Sequence, residues 1–360
     1  MDSTHTYVAI MAGGVGSRFW PASRVSRPKQ FLNISGSGKS LIRETFERFL
    51  SLVPASNIFI VTNGIYKALV KEHLPEISDN QILCEPSRNN TGPCVAYTAF
   101  KLHALDPDAN FIIAPSDSLI KKEAVFLDAI REALRYAASH NALLTLGIQP
   151  TRPDTGYGYI HFDTNATEGV HKVRQFTEKP PLEKAKEFVA SGEYLWNAGI
   201  FIWRAASILE AFKTYQPEIY EILSGGNAFY NGPEEQRFID EHYPKTPSVS
   251  VDYAIMEHAT NIYTLPADIG WSDLGTWASL HAESEKDNRQ NVVQGGNMIL
   301  EDTENCLLRT PEGKLVVIKG LKDFIVVDES DVLLIYPKSS EQEIKAITQQ
   351  IEKESGDQFL

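Results

Sequence analysis

Short apolar runs alternate with helical patterns through the first ~280 residues, and few architectures accept that rhythm. Parallel strands need a crossover long enough to hold a helix, so the alternation predicts α/β: a Rossmann-like, mostly parallel sheet flanked by helices. The reading places strands at 8–11, 58–62, 111–114 and 143–147, and a helix over about 123–139. Ser40 can cap a helix whose apolar positions Leu41, Phe46, Phe49 and Leu50 recur at helical spacing, with Glu44 near its positive end. From about residue 151 the pattern loosens into strands between Gly/Pro turns, as expected of an inserted layer over a substrate. Beyond Asn288 the texture changes. Short strands at 298–300, 306–309, 315–318, 324–328 and 332–336 follow one another like a small all-β unit or a few coils of β-helix. Ile344, Ile347 and Ile351 mark a terminal amphipathic helix. Two domains are expected, 1–287 and a β-rich, left-handed β-helix-like segment plus helix at 288–360.

The net charge of −13 argues against broad binding to nucleic acid or an anionic membrane, since phosphate backbones demand a basic surface. One basic island stands against it. Between Ser3 and Arg43 there is no Asp or Glu, where composition alone would give about five, while Arg18, Arg24, Arg27, Lys29, Lys39 and Arg43 are all present. Cys84, Cys94 and Cys306 lie far apart without CxxC spacing, so neither a disulfide framework nor a zinc site is indicated. The first apolar run, 7–12, is too short for a signal-peptide core, and no stretch reaches the ~18 apolar residues of a membrane span. A soluble, cytoplasmic protein is expected.

Inside the island the first strand runs into AGGVGSRFWPASRVSRPKQF, Ala12 to Phe31. Gly13, Gly14 and Gly16 let a backbone approach a ligand closely, and their N–H groups can bond phosphate oxygens or a base edge. Two familiar glycine loops are excluded. A dinucleotide fingerprint needs a third glycine where Phe19 stands, and a phosphate-binding Walker loop ending in Gly36–Ser40 would need its first glycine where Asn33 stands. What remains is a glycine loop with Arg18 and Lys29 at set distances, a fork and a point charge suited to a triphosphate. Pro21 and Pro28 would stiffen it.

Asp117 follows the strand at 111–114, where ligands collect in open α/β sheets, although a turn cap would use the same residue. Asp273, in IGWSDLGTW, offers a partner carboxylate, with Asp268 a poorer one, and together Asp117 and Asp273 suit Mg²⁺ carried by nucleotide phosphates. Glu85, Arg88, Asn89 and Asn90, in CEPSRNNTGP, could read a base or ribose or form an ordinary capped loop. Glu178 and Lys179 in FTEKP, and Asn197 in WNAGIF, suit sugar hydroxyls and a phosphate, or a surface pair and a turn. Gly158 in TGYGYI could admit a ring or mark a bulge.

Taken together these segments resemble one family, the mannose-1-phosphate guanylyltransferases among the sugar nucleotidyltransferases. GGVGSRFWPASRVSRPKQF carries the resemblance nearly end to end, and EPSRNNTGP, APSDS, GYGYI, FTEKP, WNAGIF, SVDYAIME and WSDLGTW extend it over almost the whole chain. The resemblance implies that 1–287 is the catalytic domain and that GMP passes from GTP to mannose 1-phosphate with Mg²⁺ as cofactor. Arg18 and Lys29 would be the catalytic cations, and Asp117 with Asp273 would hold the metal. Ala12, Gly13, Gly14, Gly16, Glu85, Arg88 and Asn89 would bind nucleotide, and Gly158, Glu178, Lys179 and Asn197 the sugar phosphate. One departure is visible: Ser118 stands where many members have His. Some relatives carry a further C-terminal isomerase domain of the cupin type, and this chain is expected to be monofunctional. Two alternatives stay open, the same chemistry on another sugar or base and a non-catalytic sensor of nucleotide sugars. The exposed edges of short C-terminal strands predict a homodimer.

Overall fold

The computed structural model describes residues 3–164 and 169–360. The chain begins with β1 (Thr6–Met11), α1 (Leu41–Leu50), β2 (Ile58–Asn63), α2 (Lys67–His73), β3 (Ile82–Glu85), α3 (Thr91–Leu105), β4 (Asn110–Pro115) and β5 (Leu119–Ile120). It continues through α4 (Glu123–Ser139), β6 (Leu143–Ile148), β7 (Gly158–Phe162), β8 (His171–Glu178), α5 (Leu182–Ser191), β9 (Tyr194–Arg204), α6 (Ala205–Tyr215), α7 (Pro217–Ser224), α8 (Glu235–His242) and β10 (Ile262–Pro266). Then come β11 (Trp271–Ser272), α9 (Trp277–Glu283), β12 (Val292–Gln294), β13 (Met298–Glu301), β14 (Leu307–Arg309), β15 (Val316–Lys319), β16 (Phe324–Asp328), β17 (Leu333–Pro337) and α10 (Ile344–Ser355). Two compact units gather these elements, each from separate segments: one holds the chain up to Gly13, Phe46–Ser116 and Ile120–Trp271, the other Gly14–Thr45, Asp117–Leu119 and Ser272–Leu360.

The first unit is built on a nine-stranded sheet in the order β3-β2-β1-β4-β9-β6-β10-β8-β7. β3, β2, β1 and β4 are mutually parallel, and only β8 and β9 oppose the common direction, so the sheet is mostly parallel as the alternation predicts. α3 is buried along its length from Gly92 to Leu102, which is why its sequence is apolar on every face. The Asn90 side chain caps it, accepting from the Thr91 N–H at 2.9 Å. α4 instead buries one stripe, Phe126, Ile130, Ala133, Leu134 and Ala137, at helical spacing. β3 has no counterpart among the strands read from the sequence. Its four residues give too little alternation to register, yet all four are buried in the sheet.

In the second unit β12, β14 and β16 stack in parallel, Val292 beside Leu307 and Leu307 beside Ile325, while β13 and β15 form a second parallel ladder. Successive short strands therefore belong to alternate ladders, the arrangement of β-helix coils, and β17 closes one ladder antiparallel to β16. Phe19, Trp20, Leu32, Leu274, Trp277, Leu307, Ile325 and Ile344 share one core, so the segment carrying the glycine loop and the segment after Asp273 are packed onto the coils. The rings of Phe19 and Trp277 lie 4.8 Å apart, and Trp277 Nε1 donates to the Trp20 carbonyl at 3.2 Å. Ile347 and Ile351 of α10 pack against the same core. The cap expected of Ser40 is not made. Its buried hydroxyl has no hydrogen-bond partner among the described residues, and Glu44 accepts instead from the hydroxyls of Ser35, at 2.5 Å, and Ser37.

Candidate functional site

In the second unit Lys29 is 3% exposed, and its neighbours define the position of its charge. A short helical turn, Lys29–Phe31, follows Pro28 and is tied to the glycine loop by the Lys29 N–H, which donates to the Val15 carbonyl at 3.1 Å. Gln30 Nε2 donates to the Gly14 carbonyl at 3.0 Å. Lys29 Nζ lies 3.0 Å from Asp117 Oδ2 and donates to the main-chain carbonyls of Asp273, at 2.9 Å, and Asp117, at 3.3 Å. The aliphatic stem passes Phe19, whose ring centroid is 5.3 Å from the ammonium. One buried cation thus gathers Asp117 and Asp273, which the sequence separates widely. Asp273 Oδ1 accepts from the Gly275 N–H at 3.1 Å, and the following residue, Leu274, is fully buried at φ +44°, a strained backbone of the kind that collects at functional sites.

Gly16 and Gly14 differ in what they do. Gly16 sits at φ +72°, and a Cβ there would come within 2.4 Å of Lys29 Cβ, so the glycine makes room for the lysine stem. At Gly14 nothing lies within 4 Å of the same position, which leaves the backbone open to a ligand. Arg18 is exposed on a short helical turn and makes no hydrogen bond or ion pair among the described residues. Its fork is available to an anion.

In the first unit the carboxyl ends of the parallel strands carry Ala12, Gly13 and Glu85. Both main-chain groups of Ala12 are taken, its N–H by the Val61 carbonyl at 2.8 Å and its carbonyl by the Thr62 hydroxyl at 2.7 Å. A Cβ on Gly13 would be 3.7 Å from Glu85 Oε2, so these two residues meet. Glu85 is buried and accepts from the Tyr243 hydroxyl; burial pushes its carboxyl up to about 7, against the hydrogen bonds from Tyr243 and Cys94 that favour its charge. Asn89 Nδ2 donates to the Tyr243 and Thr246 carbonyls and to the Thr246 hydroxyl, at 3.1, 2.9 and 2.9 Å. Asn89 therefore anchors the turn that presents Tyr243 to Glu85. Arg88 is exposed and donates to the Tyr66 hydroxyl at 2.9 Å.

A second group in this unit forms where β7, β8 and β9 adjoin. Glu178, at the end of β8, keeps a side chain only 7% exposed and pairs with Lys179 Nζ at 2.5 Å. Lys179 holds φ at +47°. Gly158 faces Glu178 across the β7–β8 pair, and a Cβ on it would be 2.5 Å from Glu178 Oε2. The glycine accommodates the carboxylate. Asn197 on β9 is held on both sides of its amide, and the residue that holds the nitrogen, Asp252, is one that the sequence reading did not single out, although SVDYAIME contains it. What marks it is structural: Asp252 opens the π-helical turn Asp252–Met256, a backbone form often found at functional sites.

Asp268, the poorer metal candidate, pairs instead with Lys122 at 2.5 Å. Asp117 and Asp273 supply hard oxygen donors of the type Mg²⁺ prefers, and no cluster of three or more metal-ligating side chains occurs among the described residues. Two such carboxylates would leave the remaining positions of an ion to phosphate and water, with the Asp117 carboxylate paired to Lys29 in this structure.

Comparison with known proteins gives the family. The nucleotidyl transferase family model matches residues 7–290, and that of the MannoseP isomerase/GMP-like beta-helix domain matches 296–351. A mannose-1-phosphate guanylyltransferase of Salmonella montevideo is 38% identical over 362 residues, 98% of this chain and 75% of the relative. The chain belongs to the mannose-1-phosphate guanylyltransferases. A guanylyltransferase of the same name from Escherichia coli K12 is 37% identical, covering 98% of this chain and 74% of its own. The crystal structure of a mannose-1-phosphate geranyltransferase from Thermus thermophilus superposes with a TM-score of 0.87 at 29% identity, over 97% of this chain and all of that one. The chain is thus a nucleotidyltransferase by family, with a β-helix-like C-terminal segment. No helix among the described residues is long and apolar enough to cross a membrane.

Proposed function

We propose that this chain transfers GMP from GTP to α-D-mannose 1-phosphate, giving GDP-mannose and pyrophosphate, in the cytoplasm. The observation that carries the reading is Lys29: a buried ammonium held beside Asp117 and Asp273, in a chain whose relatives bear that activity in their names. A phosphate oxygen of mannose 1-phosphate attacks the α-phosphorus, and the bond to pyrophosphate breaks in line. The attacking group is already ionised near neutral pH, so no side-chain nucleophile is needed. Arg18 and Lys29 offset charge growing on the leaving pyrophosphate. Asp117 and Asp273 would hold Mg²⁺, which when bound neutralises phosphate oxygens and orients them. Gly13, Gly14 and Gly16 belong to the nucleotide loop, Glu85, Arg88 and Asn89 to the nucleoside side, and Gly158, Glu178, Lys179 and Asn197 to the sugar phosphate. We assign catalysis to 1–287 and the β-rich segment to 288–360, and propose a homodimer. Ile299 and Val317, register partners on the β13–β15 ladder, and Leu315 beside them are 51%, 64% and 63% exposed, an apolar surface that a second copy would cover.

The test is Mg²⁺-dependent pyrophosphate release with GTP, ATP, UTP and dTTP, each paired with mannose, glucose and fucose 1-phosphates. Release confined to GTP with mannose 1-phosphate is expected. Release with a different pair would overturn the substrate assignment and keep the chemistry, and silence with every pair would overturn the reaction.

A further inference from the structure

Asn197 carries an amide whose two ends could be exchanged by a simple flip, and the first unit fixes which end points where. Thr145 Oγ1, from the neighbouring strand β6, donates to Asn197 Oδ1 at 2.8 Å, and the Gly199 N–H donates to the same oxygen at 3.1 Å. With the oxygen occupied by two donors, the nitrogen must face an acceptor. That acceptor is Asp252, whose Oδ1 lies 3.0 Å from Asn197 Nδ2. Asp252 begins the π-helical turn Asp252–Met256, so a rare backbone form places this carboxyl.

The charged groups around it are few. Glu178 faces Asp252 with like charge, and Lys179, paired with Glu178, faces it with opposite charge. Glu257, at the end of the same turn, accepts from the Glu178 N–H at 3.1 Å. α6 also packs on the turn and presents no ion pair to Asp252 among the described residues.

We propose that Asp252 is a positioning residue for the sugar: it locks the Asn197 carboxamide in one orientation, alongside Glu178, so that both side chains meet a hydroxyl-rich ligand in fixed geometry. The proposal rests on the reading of Glu178 and Asn197 as sugar contacts. Burial, with Glu178 next in weight, pushes the Asp252 carboxyl up to about 7. Its bond to Asn197 is therefore charge-assisted above that pH and becomes a weaker neutral one as pH falls through it. Neither Thr145 nor Asp252 needs to touch the ligand for this to act.

The test compares Asp252→Asn, Thr145→Val and Glu178→Gln in the intact chain, measuring KM for mannose 1-phosphate and for GTP from pH 6 to 9. Asp252→Asn is expected to raise the mannose 1-phosphate KM about fivefold at pH 8, the difference between a charge-assisted hydrogen bond and the neutral one an Asn oxygen would still accept. The GTP KM should stay within about twofold, and the variant-to-parent ratio should fall toward one as pH drops below 7. Using the ratio removes the ionisation of the substrate phosphates, common to both proteins. Thr145→Val should raise the same KM by a smaller factor, because it removes one of the two donors that hold the other end of the amide. An Asp252→Asn protein with the parent KM for mannose 1-phosphate at every pH would overturn the proposal. So would equal rises in both KM values without pH dependence, the behaviour of a merely structural residue. Should Asp252→Asn fail to fold, Asp252→Ser is read by the same criteria, and the parent KM for mannose 1-phosphate in that variant at every pH overturns the proposal. Glu178→Gln separates the underlying reading: if it leaves the mannose 1-phosphate KM untouched, the sugar assignment itself falls, whereas a raised KM there with normal Asp252→Asn sinks only the positioning role.

Discussion

Gly16→Ala tests whether the glycine loop acts by placing Lys29. The added Cβ would come within 2.4 Å of Lys29 Cβ and 3.2–3.3 Å of its next carbons, where ordinary carbon contacts need about 3.5–4.0 Å. The lysine stem must therefore move by roughly 1 Å. Its ammonium bonds, now 2.9, 3.0 and 3.3 Å, would then stretch beyond hydrogen-bonding reach. Two costs add. An alanine at φ +72° loses about 1–2 kcal/mol of backbone energy, and a buried cation parted from its partners loses up to about 3–5 kcal/mol. Thermal unfolding should register the loss, while Gly14→Ala, which meets nothing within 4 Å, should melt near the parent temperature. In pyrophosphate release the expected fall in kcat is about 10²–10³-fold, the usual effect of misplacing one electrostatic stabiliser, and Lys29→Ala should fall at least as far. Gly16→Ala with kcat within about threefold of the parent, beside an inactive Lys29→Ala, would refute the reasoning, because it would show the ammonium in place without the glycine.

Glu85→Gln should change how stability depends on pH. A carboxyl raised to about 7 in the fold takes up a proton on folding, so its contribution is complete below its ordinary range and is lost as pH rises through 7. Glutamine removes that loss, and urea unfolding should show the variant gaining on the parent between pH 5 and 8 by up to about 3 kcal/mol. Parallel pH curves for the two proteins would count against it. The apolar β13–β15 surface predicts a dimeric mass by light scattering at micromolar concentration, with Val317→Lys shifting it toward the monomer; a monomeric parent would end that expectation.

What the sequence disclosed, and what it withheld, follow from the range of each interaction. The sheet was legible because β1, β2, β4 and β6 are continuous buried runs, and the coils were legible because each strand announces itself locally. Which ladder each coil strand joins depends on register eighteen residues away, and that is invisible in a window of eight or nine. The side chains of the candidate site follow the same rule. Lys29, Asp117 and Asp273 could be proposed from residue type, but their meeting is made by the core around Phe19, Leu274 and Trp277. Asp252 escaped because nothing near it in sequence mentions Asn197, its hydrogen-bond partner from another strand. The glycines carry the sharper lesson. Read alone, a glycine beside a candidate site suggests a backbone brought close to a ligand, yet at Gly16 and Gly158 the missing methyl clears space for Lys29 and Glu178. Of the candidate-site glycines Gly13, Gly14, Gly16 and Gly158, only Gly14 has nothing within 4 Å of such a methyl. A long charged side chain held nearly immobile requires a hole shaped for it, and glycine is the residue that leaves the hole. Such glycines belong to the positioning of charge as much as the ion pairs do.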